Sequence, residues 1–125
     1  LTCDWSSDVC SSDLRYGTEN AEVCVEATKY GAPVWAVSAP QAGATSPAAL
    51  AGSLVQVTAE ILACLLLVDL VSPGYPVIMG PWPFVSDLRT GAFTGGSGEE
   101  AIVSAAATSA RKRAQRLITR STPCE

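Results

Sequence analysis

Two short stretches hold the side chains best suited to chemistry, and each follows an apolar segment. Gln41 and Thr45 lie in SAPQAGAT, and Trp82, Phe84, Asp87 and Arg89 lie in GPWPFVSDLRTGAFTGG. An amide and a hydroxyl can orient a bound molecule by hydrogen bonding, and aromatic faces attract an organic cation. The carboxylate of Asp87 and the guanidinium of Arg89 are close enough in sequence to pair and order their loop. Further on, Gly95, Gly96 and Ser97 open a helix whose backbone N–H groups could take a phosphate, although no P-loop lysine follows them. The sequence contains no histidine, so the commonest general base and metal ligand is missing, and no catalytic residue can be assigned. Cys24, Cys64 and Cys124 lack the spacing of zinc ligands, so no metal site is expected.

Each candidate also has a plainer reading. Gln41 and Thr45 suit turn and cap duties, Trp82 suits packing onto a sheet, and Glu99 is a favourable charge in a first helical turn.

The elements that must position these residues centre on residues 33–80. An apolar strand over 34–39 leads through a Gly-containing turn to a long helix over 47–71, opened by Ser46-Pro47 and stopped by Pro73-Gly74. A second apolar strand follows at 76–79. Strands separated by a helix of this length pair in parallel, as a βαβ unit. Neither strand shows a polar face, which predicts burial on both sides. The helix carries Leu50, Leu54, Val57, Ile61, Leu65 and Val68 on one stripe and Ser53, Gln56 and Glu60 on another. Its uninterrupted apolar run is shorter than the roughly 20 residues a membrane span needs, and Glu60 and Asp69 flank it, so no membrane span is expected.

Upstream, Thr18 or Asn20 can cap a helix that Gly31 stops. Downstream, residues 80–96 show no helical or strand period, and at this length the connection is functional or disordered; its aromatics argue against disorder. Ser97 and Glu100 have capping-box spacing before a helix over 101–110. Both candidate loops follow strands and precede helices, so they open on the edge of a parallel sheet where ligands bind.

Charge and composition narrow the class. The formal charge is −4, which argues against a general nucleic-acid binder, although Arg111, Lys112, Arg113, Arg116 and Arg120 gather in a basic tail at 111–125. Residues 4–14, DWSSDVCSSDL, resemble one translated frame of a short-read sequencing adapter, so residues 1–14 are set apart from the fold as non-native. Without Asp4, Asp8 and Asp13 the charge becomes −1. Cys24 and Cys64 fall on apolar helix faces, which suggests buried thiols and a reducing cytoplasm.

The pattern also carries a likeness. GAP before the first strand, PQAGAT with P and LAG running into the helix, AE within it, PG and PV entering the second strand, and D–RTG–GG–E beyond it together resemble the trimethylamine methyltransferase family. The likeness spans residues 16–107. It implies a (β/α)8 TIM barrel, of which this chain would supply about two βα units as an internal fragment; a complete barrel takes about 250 residues. It further implies methyl transfer from a tertiary or quaternary amine, of trimethylamine or glycine betaine type, to the cobalt of a corrinoid carried by a partner protein, in a homo-oligomeric full-length enzyme. On that basis Gln41, Thr45, Trp82, Asp87 and Arg89 would face substrate, and Gly95, Gly96 and Ser97 the corrinoid tail. The tail from Arg111 departs from what the likeness leads one to expect, and residues 111–125 read as a basic C-terminal helix end or a divergent tail. The competing reading is a small α/β module that binds a ligand or oligomerises without catalysis.

Overall fold

The computed structural model describes residues 16–121. It is a mixed α/β arrangement: α1 (Thr18–Lys29), β1 (Val34–Ser38), β2 (Gln41–Ala42), α2 (Leu50–Val71), β3 (Val77–Pro81), β4 (Phe84–Ser86), β5 (Phe93–Thr94) and α3 (Gly98–Ser121). β1 and β3 are parallel, with Trp35 opposite Ile78, and α2 crosses between them. The βαβ expectation therefore holds at its decisive point.

β1 and β3 continue beyond the bounds of a regular ladder. β2 pairs in parallel with β4, Gln41 opposite Phe84 and Ala42 opposite Val85. In both ladders each partner lies 43 positions on, from 34 to 77 and from 41 to 84. Between them, the Trp82 N–H donates to the Ser38 carbonyl at 2.9 Å and the Phe84 N–H to the Pro40 carbonyl at 2.9 Å. One parallel pairing thus runs from Val34 to Ala42, and it is interrupted where Pro40 faces Pro83. Proline has no N–H for the rung it occupies, so the ladder is cut there without a change of register. β5 turns back antiparallel on β4, with Ser86 opposite Phe93. Residues 80–96 are accordingly not free of strand: they hold the end of β3, the whole of β4 and β5, and the turn between them.

Burial alternates along β1. Val34, Ala36 and Ser38 are buried under α2, whereas Trp35 is 57% exposed, and Ile78 on β3 is 54% exposed. The prediction of strands buried on both sides is corrected: one face lies under α2 and the other is open in this chain. The buried face joins two clusters. Cys24, Val34, Ala36, Cys64 and Val68 form one, and Val57, Ile61, Met79 and Ala107 the other, so α1 and α3 flank α2 on the same side of the sheet.

Three helix boundaries differ from the sequence reading. α1 has Gly17 at its N-cap without a side-chain bond, in place of Thr18 or Asn20; its far end closes at Gly31, with φ of 70°, and the Ala32 N–H reaches the Ala27 carbonyl at 3.0 Å. α2 begins at Leu50, three positions after Pro47, because Ser46 and Pro47 belong to the preceding turn: Ser46 bridges to Ala42, and Ser53 Oγ donates to the Pro47 carbonyl at 2.8 Å. α3 extends past 110 through the basic tail to Ser121, in line with the helix-end reading of that tail.

Candidate functional site at the ends of the parallel strands

Side chains alternate across a strand, so the register places Trp35, Gln41, Ile78, Trp82 and Phe84 on the open face. Trp82 is 58% exposed and its ring lies 5.2 Å from that of Phe84, tilted by 47°, a favourable aromatic geometry. The Trp35 indole lies over Gly80, where an added Cβ would come within 2.5 Å of Nε1. Aromatic surface therefore extends along this face up to the C-terminal ends of the strands.

Gln41 sits at the centre of a tight turn. Its N–H donates to Thr45 Oγ1 at 2.9 Å, and its carbonyl accepts the N–H groups of Ala44, Thr45 and Ser46, each at 3.0 Å. Thr45 is thus a turn-former, while the Gln41 side chain remains on the open face.

Asp87 and Arg89 order their loop by a different bond from the expected one. Asp87 Oδ1 accepts the Arg89 backbone N–H at 2.9 Å, not its guanidinium, and Oδ2 accepts the Thr90 hydroxyl at 3.0 Å. The Asp87 N–H then reaches the Ala92 carbonyl at 3.0 Å, which seats β5 against β4. This is the Asx-type local bonding that favours turns.

At the opening of α3, Ser97 Oγ accepts the Glu100 N–H at 3.1 Å, and the Glu100 carboxylate accepts the Gly96 N–H at 2.7 Å. The cap expected from Ser97 and Glu100 forms, with the return bond one residue further out than in the standard box. The Gly96 N–H is therefore engaged by the helix's own carboxylate and the Ser97 hydroxyl by the Glu100 N–H, and Glu99 adds a second acid in that turn.

What the sequence did not suggest lies on the covered face. Ser53, Gln56 and Glu60, read as a separate polar stripe, are buried along with Val57, Ile61 and Val68. Glu60 is 4% exposed. Ser38 Oγ donates to its Oε2, and Gln56 Nε2 donates to its Oε1 at 3.0 Å and to the Thr45 carbonyl at 3.3 Å. The Tyr16 hydroxyl donates to the Glu60 backbone carbonyl. The spacing of Ser53, Gln56 and Glu60 was visible, but nothing in it indicated an inward direction.

Cys24 on α1 and Cys64 on α2 are both buried thiols outside any disulfide, as the apolar faces predicted. A hydrogen bond from Cys64 holds the Cys24 thiol below its ordinary value, against the opposing effect of burial. By length and composition α2 could cross a membrane, yet three polar side chains of its inward face are engaged with the rest of the chain.

The sequence model of trimethylamine methyltransferase matches residues 9–122. This chain belongs to the trimethylamine methyltransferase family. The match includes most of the basic tail, which the structure carries as helix, and begins at residue 9, within the segment set apart as adapter-like. That segment lies outside the described residues. Among curated relatives, glycine betaine methyltransferase of Desulfitobacterium hafniense is 38% identical over 99 residues, covering 78% of this chain and 21% of its own. Trimethylamine methyltransferase MttB of Methanosarcina barkeri is 35% identical over 96 residues (77% and 19%), and proline betaine:corrinoid methyltransferase of Eubacterium limosum 35% over 92 residues (74% and 19%). The chain spans about a fifth of the length of these relatives.

Proposed function

We propose that this chain contributes two neighbouring βα units to a (β/α)8 barrel methyltransferase, which moves a methyl group from a tertiary or quaternary amine to the cobalt of a corrinoid held by a partner protein. The observation that carries the reading is the open face, with Trp35, Trp82, Phe84 and Gln41 aligned toward the C-terminal ends of parallel strands in a member of this family. In a closed barrel that face is the interior, and its C-terminal rim is where barrel enzymes bind substrate.

The donor is a cation that leaves as a neutral amine. Aromatic faces suit such a group, because each supplies about 0.5–2 kcal/mol to the cation without fixing a full counter-charge beside a centre that must lose its own. Trp82 and Phe84 are the wall in this scheme, with Trp35 deeper on the same face and the Gln41 amide at the rim. When bound, the corrinoid supplies the nucleophile that accepts the methyl group as the carbon–nitrogen bond breaks toward nitrogen.

Asp87, Arg89 and Thr45 serve the site by shaping its loops. Gly95, Gly96 and Ser97 do not suit a corrinoid phosphate, since Glu100 already occupies the Gly96 N–H and two acids crowd the helix start. The buried, reduced thiols of Cys24 and Cys64 support a cytoplasmic setting.

The test is to express the longer reading frame that contains this chain beside the 125-residue chain itself, each with a reduced corrinoid protein and a panel of methylated amines. Formation of methylated cobalt is followed by absorbance. The longer protein is expected to transfer methyl groups and the 125-residue chain to be silent. Turnover by the short chain, or none by the longer one with any amine, refutes the proposal. Saturable binding of a methylated amine by the short chain, with no turnover by the longer protein, supports the alternative of a self-contained binding module.

A further inference from the structure

Glu60 is the most unusual residue on the covered face. Its carboxylate lies beneath the sheet, on a helix whose other inward residues are mostly apolar, and no Lys or Arg bonds to it among the described residues. Its partners are neutral donors from two elements: the Ser38 hydroxyl at the end of β1 and the Gln56 amide one turn back along α2. A carboxylate so placed is costly to bury, and it is held there by two buried donors, the Ser38 hydroxyl and the Gln56 amide, that its removal would leave without their acceptor.

What the bonds do link is the rim. Gln56 also donates to the Thr45 carbonyl at 3.3 Å, and Thr45 Oγ1 holds the Gln41 N–H at 2.9 Å. A continuous chain of hydrogen bonds thus runs from Ser38 through Glu60, Gln56 and Thr45 to Gln41. It passes from the covered face to the turn that carries the one amide on the open face beside Phe84.

We infer that Glu60 is a positioning residue: it aligns Gln56 so that the turn from Gln41 to Ser46 is held against α2, and so fixes Gln41 at the strand ends. The importance of this for substrate rests on the methyltransferase reading, but the alignment itself does not.

The experiment is amide hydrogen exchange on the 125-residue chain, resolved at Ala44, Thr45 and Ser46, with thermal unfolding measured alongside. No amine or corrinoid is present, so failure here leaves the methyl-transfer proposal standing, and the reverse is also true. In E60L, exchange at these three amides is expected to accelerate about tenfold more than at the amides of α2 and β1, the equivalent of about one net hydrogen bond, on top of a lower melting temperature from the stranded Ser38 and Gln56 donors. E60Q is expected to restore protection, because its amide oxygen accepts from Gln56 and its NH2 group donates to the Ser38 oxygen. Q56L cuts the same chain one link later and reproduces the local loss, which keeps the test decisive if E60L does not fold. Unchanged exchange at 44–46 in Q56L overturns the inference. So does a loss of protection spread evenly over α2, β1 and the turn, because that marks Glu60 as a contributor to global stability only.

Discussion

Replacing Gly80 by alanine asks whether Trp35 really lies across the β1–β3 ladder. A Cβ at Gly80 would stand 2.5 Å from the indole Nε1 and 3.3 Å from Cε2, so the ring must move. Overpacking of this kind costs about 1–3 kcal/mol, and the lower half of that range applies because Trp35 is 57% exposed and has room to swing outward. With Trp35 already cut to alanine, the clash is absent and the strand gains from losing a glycine, by about 0.5–1 kcal/mol. The two backgrounds should therefore differ by about 2 kcal/mol, well above the additivity error of about 0.5 kcal/mol for independent sites. The assay is a double-mutant cycle of the wild-type chain, G80A, W35A and the double variant, by urea unfolding followed with far-ultraviolet circular dichroism. Equal effects of G80A with and without Trp35 would show that the indole does not cross Gly80, and the open aromatic face would lose its deepest member.

Other outcomes follow from the same geometry. I61A empties a position 3% exposed between α2 and Met79 and should cost about 2–4 kcal/mol, read from the urea midpoint. S97A removes the cap of α3 and should lower stability by about 1 kcal/mol, with faster exchange confined to the first turn at Glu100 and Ala101. In the longer reading frame, W82A should raise KM for the methylated amine about tenfold with kcat little changed, since an aromatic wall binds the donor before and during transfer. Because the folded state favours the Cys24 thiolate, its contribution grows as pH rises through the folded pKa and is complete above the ordinary value of 9.0; it is lost on the way down. C64A should abolish that rise in urea midpoints measured toward alkaline pH.

Much of the frame was legible because it depends on long, uniform signals. Two apolar runs, a helix between them and the breakers at Gly31 and Pro73-Gly74 define the parallel pair and put Trp35 opposite Ile78. Ser97 and Glu100 announced their cap by spacing, and Cys24 and Cys64 their burial by the company they keep. The rest depended on contacts distant in the chain. β2 and β4 are too short to show a period, and the prolines that argue against a strand there are tolerated only because Pro40 and Pro83 meet at the same rung. The inward turn of Ser53, Gln56 and Glu60 was hidden because a polar stripe ordinarily faces water, and burial is possible here because the Pro47 carbonyl, the Thr45 carbonyl and the Ser38 hydroxyl supply their partners. The open face escaped notice for a related reason: Val34 to Ala39 reads as apolar on both sides, and sequence cannot say which part of a chain covers the second side.

The facing prolines also divide the paired strands mechanically. Below them, five consecutive rungs bind β1 to β3 beneath a packed helix; above them, β2, β4 and β5 form a small flap tied by its own turns. A sheet bends most easily where a rung is weakened, and at the prolines the Phe84 N–H to Pro40 carbonyl bond stands without the return bond that Pro40 cannot donate. The strands beyond the prolines therefore have the greater freedom to shift, while the floor beneath Trp35 is held by the full ladder.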